Sequence, residues 1–92
     1  MEVPEEEQLR YWFLRYRSKK WAGFLLETFP TEENYQLISK KAANGAYMRN
    51  MLREYIFDNN PSVDLLCIII KMGPKSCREA AIQLLMKYFN FL

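Results

Sequence analysis

The stretch PSVDLLCIIIKM, Pro61 to Met72, is the strongest constraint in the chain. Wound at the helical period it is apolar on nearly every side, with only Asp64 and Lys71 marking a narrow wet stripe, and a helix of that kind has to be enclosed by neighbours. Its longest apolar run, Leu65 to Ile70, is far too short to cross a bilayer, so the enclosure must come from other parts of a folded domain. A short parallel strand could carry the same pattern. No glycine-flanked partner strand occurs elsewhere, however, and the neighbouring segments have helical period. The reading is a central helix in an all-α domain.

At 92 residues, one core is all that fits, and a chain of this size buries only roughly 60 to 65% of the surface it exposes when unfolded. Hydrophobic residues make up 50% and charged residues 26%, which excludes a disordered chain. A net charge of +2 is too small to imply a nucleic-acid partner by itself. With two cysteines, Cys67 and Cys77, and no histidine, a four-ligand zinc site cannot be assembled. The start, MEVPEEEQLR, has neither the basic nor the apolar region of a secretory signal. The expected setting is therefore cytoplasmic, with the nucleus as alternative, and both thiols are expected to be free and packed in the core.

Five or six helices follow from the periodicity. Leu9, Trp12, Phe13 and Tyr16 form one stripe, with Arg10 and Arg17 on one flank and Arg15 and Lys19 on the other. Lys20 would fall inside that stripe, and Gly23 follows, so the first helix is expected to bend or stop near Ser18 to Lys20. In PTEENYQLISKKAANG, Thr31 suits an N-cap, Glu32 and Glu33 suit the positive helix end, and Gly45 suits a left-handed C-terminal cap. From Ala46 to Asp58, Met48, Met51, Leu52, Tyr55 and Ile56 share a face. Asn60 and Pro61 are expected to cap and begin the next helix, and Gly73 with Pro74 to close it and open the last. The last helix has a main stripe of Cys77, Ala80, Ala81, Leu84, Leu85 and Tyr88, and a second apolar face of Ile82, Met86 and Phe89. Two apolar faces need two coverings.

Catalysis finds little support. Without histidine the usual base at neutral pH is missing, and the glycines at 23, 45 and 73 make no phosphate loop. The carboxylates of Glu5 to Glu7 and of Glu32 and Glu33 are neighbours at helix starts and not pairs across a cleft. The expectation is a non-enzyme without cofactor, metal or small-molecule substrate, which acts through its surface and not on a membrane. RYWFLRYRSKKW, residues 10 to 21, alternates five basic residues with aromatics, as surfaces that bind phosphate and stack bases do. A small nucleic-acid-binding domain is the alternative that follows from it. The helical spacing of Trp12, Phe13 and Tyr16 equally fits a core stripe with wet basic edges.

The junction KMGPKSC, Lys71 to Cys77, lies between a helix that is apolar nearly all round and one with small and large apolar residues at three- and four-residue spacing. In this it resembles the junction of the fourth and fifth helices of caspase recruitment domains, a death-fold family. The resemblance covers Leu65 to about Phe89. It implies that residues 1 to 92 are a single helical interaction domain, whole or cut from the N-terminus of a longer protein, folded as an antiparallel bundle with a kinked first helix. It also implies assembly with like domains, by self-association or with another death-fold protein, in innate-immune or apoptotic signalling.

In that family a basic patch commonly meets an acidic one. Here Arg10, Arg15, Arg17 and Lys71 would supply the basic side and Glu27, Glu32 and Glu33 the acidic side. Helix count and motif point apart: a fourth-to-fifth junction requires a single kinked first helix and leaves part of the last helix uncovered. Six separate helices put the motif one junction late.

Overall fold

The computed structural model describes residues 5–90. The first four residues, on which the reading of the N-terminal segment partly rests, lie outside the described residues, as do the last two. Six α-helices run in the order α1 Glu6–Tyr16, α2 Lys19–Thr28, α3 Glu32–Lys41, α4 Gly45–Tyr55, α5 Val63–Met72 and α6 Lys75–Phe89, with a 3-10 turn at Phe57–Asn59 and no strand among the described residues.

The break after α1 comes at Arg17, which takes a left-handed conformation (φ 52°). That conformation costs a non-glycine residue about 1 to 2 kcal/mol, and local hydrogen bonds offset it. The Arg17 N–H donates to Phe13 O (2.6 Å), its Nε donates to Leu14 O (3.0 Å), and Tyr47 Oη donates to Arg17 O (3.1 Å). Ser18 then caps α2 by accepting from the Trp21 N–H at 3.1 Å. The break re-phases the helix, which resolves the misplaced Lys20: it is exposed. Trp12 and Trp21 meet across the elbow with ring centroids 4.9 Å apart.

Gly23 does not end a helix. It is buried inside α2 where α2 crosses α4, and an added Cβ would stand 2.5 Å from Tyr55 Cβ. Gly45 is likewise not a left-handed cap. It is the first residue of α4, capped by Asn44 Oδ1, which accepts from the Ala46 N–H at 3.0 Å, while α3 ends in extended backbone at Ala42.

The start of α5 is also displaced from its expected place. Asn60 adopts the left-handed conformation that asparagine tolerates, Pro61 is buried in the loop, and Ser62 caps the helix by accepting from the Leu65 N–H at 3.2 Å. At the KMGPKSC joint Gly73 is extended, not left-handed, and it is there for space: a Cβ would meet Ile69 O at 2.7 Å. Pro74 occupies the cap position, so α6 begins at Lys75.

Leu9 and Phe13 of α1, Ala22, Leu25 and Leu26 of α2, Ile38 of α3, Met51 and Leu52 of α4, Leu65, Leu66 and Ile69 of α5, and Ala81 of α6 share one core. Each large apolar side chain so enclosed contributes about 1.5 to 3 kcal/mol. Tyr16, expected on the stripe, is instead exposed at the end of α1. The α5 helix is less enclosed than its composition implies. Val63, Asp64, Cys67 and Lys71 are all exposed, and residues 63, 67 and 71 fall at four-residue spacing on one outer face, so Cys67 is exposed while Cys77 is buried.

Three contacts fix helix directions. Tyr88 Oη near the end of α6 donates to Pro61 O ahead of α5 (2.9 Å), so α6 folds back along α5 from their shared joint. Arg10 reaches Asn34 near the start of α3 and Arg17 reaches Lys41 at its end, so α1 and α3 run side by side in the same direction.

Tyr35, nearly sealed between α3 and its neighbours, has its phenol pushed up to about 12 by burial, with a smaller contribution from Cys77. The folded state thus holds this proton more tightly than the unfolded chain, whose value is 10.0. The resulting stability is complete below about pH 10 and is lost as pH rises through about 12. Tyr35→Phe is expected to flatten the alkaline fall in urea-unfolding free energy by an amount on the order of 2 kcal/mol. An unchanged slope would show that other groups govern it.

Candidate interaction surfaces

The four basic candidates do not form one free patch. Arg10, about one-third exposed, is built into the fold: its Nε donates to Asn34 Oδ1 (2.7 Å) and its Nη2 pairs with Glu6 Oε1 (2.8 Å) and more loosely with Glu33 Oε2 (3.8 Å). Arg17 spends its guanidinium on the ends of two helices, donating from Nε to Leu14 O and from Nη1 to Lys41 O (3.3 Å). Lys71 Nζ lies against both carboxylate oxygens of Glu32, at 3.1 and 3.3 Å. Arg15 alone of the four makes no ion pair or hydrogen bond among the described residues; its guanidinium sits 5.9 Å from the Tyr16 ring centroid.

The acidic candidates are interleaved with the basic ones. Glu32 faces Lys71, and Glu33 lies beside Arg10 with 86% of its side chain exposed. Glu27 accepts from Asn59 Nδ2 (3.1 Å), and burial pushes its carboxyl above the ordinary range despite that hydrogen bond. The parallel course of α1 and α3 brings Arg15, Arg17, Lys40 and Lys41 to one end of the pair and Glu6, Glu7, Glu32 and Glu33 to the other, as the helix dipoles favour.

The second apolar face of the last helix is open. Ile82, Met86 and Phe89 are 42, 65 and 60% exposed, a continuous strip at helical spacing, while Cys77, Ala81, Leu84, Leu85 and Tyr88 turn inward. A groove of about 370 Å³ runs between α1 and α3, floored by Leu14 and Leu37 and edged by Arg10, Glu33, Gln36 and Lys40.

The buried Asn34 is the residue that sequence reasoning missed. Its Oδ1 accepts from Arg10, its Nδ2 donates to Phe29 O (2.9 Å) and its N–H donates to Thr31 Oγ1 (3.1 Å), so it joins α1, the α2–α3 loop and α3. Its position four residues before buried Ile38, directly in phase with the core stripe, was the available signal.

Among the described residues no three of His, Cys, Asp and Glu gather where they could hold a metal ion, and no helix is long and apolar enough to cross a membrane. No protein-family model, curated protein or solved structure matches this chain.

Proposed function

We propose that the chain is a non-catalytic protein–protein interaction module of caspase-recruitment type. It is read as a death-fold antiparallel bundle that associates with a like domain or with itself in apoptotic or innate-immune signalling in the cytoplasm. The observation that carries this reading is the open strip Ile82, Met86, Phe89 on the helix that KMGPKSC begins, since contiguous exposed apolar surface marks an interaction site. Only Arg17 and Ser18 separate α1 from α2, so the two fit the halves of one kinked first helix, and the motif then falls at the fourth-to-fifth junction.

Sedimentation velocity over a hundredfold range of concentration tests the proposal. Oligomers should grow with concentration, disappear in Met86→Ser, and weaken in Arg15→Glu and with added salt, which screens exposed charges beyond about 10 Å at 0.1 M. A protein that stays monomeric throughout and ignores death-fold partners would refute it.

A nucleic-acid surface is the second reading. It is favoured by the gathering of Arg15, Arg17, Lys40 and Lys41 at one end of the α1/α3 pair beside exposed Tyr16. A salt-sensitive mobility shift with RNA or DNA would support it, and no binding at low salt would remove it.

A further inference from the structure

The outer strip of α6 and the groove between α1 and α3 are separate surfaces of one molecule, and they match each other. We propose that the α6 strip of one copy seats in the α1/α3 groove of the next, running in the same direction as both helices; this rests on the reading of the chain as a self-associating module.

The match is one of register and charge. In the groove, Glu33 stands four residues before Leu37 on α3, and Arg10 stands four before Leu14 on α1. On α6, Arg78 stands four residues before Ile82. All three steps advance about 6 Å along a helix, so one seating sets Arg78 against Glu33 while Ile82 meets Leu14 and Leu37.

Glu33 is the acid available for this. Its nearest cation, Arg10, is already held by Glu6 and Asn34, and the Glu33 side chain is 86% exposed. Arg78 is exposed and has no ion-pair partner among the described residues. Beyond Ile82, Met86 continues the apolar strip toward the Lys40 end of the groove, where the partial negative charge of the α6 C-terminus is favourably placed. Strip and groove are different surfaces, so the contact is head-to-tail and either closes into a ring or grows as an open chain.

Two variants that each spoil one side give the test. Ile82→Asp places a charge on the strip and Leu14→Asp places one on the groove, both at partly exposed positions. Each variant alone should be monomeric by sedimentation velocity, and an equimolar mixture should form a 1:1 heterodimer that goes no further. The swap Arg78→Glu with Glu33→Arg should restore what either single change loses, up to about fivefold in affinity, the amount an exposed ion pair of about 1 kcal/mol represents.

If Leu14→Asp associates like wild type while Ile82→Asp does not, the groove assignment is overturned and the interaction-module reading stands. A mixture that stays monomeric, each variant alone being monomeric and folded by circular dichroism, overturns it as well. A wild-type protein that is monomeric at every concentration overturns the groove assignment, and one that also ignores death-fold partners overturns the interaction-module reading with it.

Discussion

Valine at position 23 is expected to cost the fold about 3 kcal/mol or more, toward or beyond the upper end of the range for overpacked sites. The reason is the close crossing of α2 and α4. A Cβ on residue 23 would lie 2.5 Å from Tyr55 Cβ and 3.3 Å from Tyr55 Cγ. The obstacle is the root of the Tyr55 side chain, fixed to the α4 backbone, so no rotamer change clears it and the two helices must separate. Separation loosens the core on both sides, where Ala22 and Leu26 of α2 and Met51 and Leu52 of α4 are fully buried.

Alanine at the same position gains up to about 1 kcal/mol of helix propensity, which opposes a steric cost of about 1 to 3 kcal/mol, so a smaller net loss is expected. Urea midpoints measure both. The cause is isolated in a Tyr55→Gly background, where the obstructing Cβ is gone and Gly23→Ala should become neutral or stabilising. A full loss in that background would place the strain elsewhere.

Gly23 also shows where the sequence stops being informative. The all-helical class, a break close to Ser18 and the two faces of α6 could be read because each follows from local period or cap chemistry, which neighbouring residues display directly. A helix crossing cannot be read that way. Gly23 and Tyr55 are far apart in sequence, and a glycine amid WAGFLLETF looks the same whether it ends a helix or admits a partner.

Gly45 and Asn60 failed for a related reason. Asn44 and Ser62 are the side chains placed to accept from N–H groups left without a partner at the starts of α4 and α5, and α3 has already ended at Ala42 before Gly45 is reached. Cys67 was misplaced because α5 packs chiefly on α6, leaving one side of an apolar helix at the surface. Arg10, Arg17, Lys71 and Glu32 are engaged within the fold while Arg15 is not, a difference that the sequence does not display. Whether Lys71 faces solvent or Glu32 is decided by how α5 and α3 meet, which no spacing along either helix reveals.

That distinction governs how charge-reversal experiments on this protein must be read, and Arg10→Glu is the clearest case. The new carboxylate would lie beside Glu6 and Glu33, and Asn34 Oδ1, fully buried, would lose its 2.7 Å donor. An unpaired buried acceptor costs about 1 to 3 kcal/mol, and the repulsion adds to it, so a total of about 3 kcal/mol is expected. For a domain of this size that lowers the melting temperature by on the order of 15 °C.

Arg15→Glu, by contrast, removes no hydrogen bond or ion pair among the described residues and should change stability by no more than about 0.5 kcal/mol. Thermal unfolding of the two variants side by side checks the assignment; equal melting temperatures would show that the Arg10 network contributes nothing to the fold. Should Arg10→Glu abolish association while Arg15→Glu leaves it intact, the melting curves decide the meaning, because a domain that has lost Asn34's partner loses its surfaces together with its core.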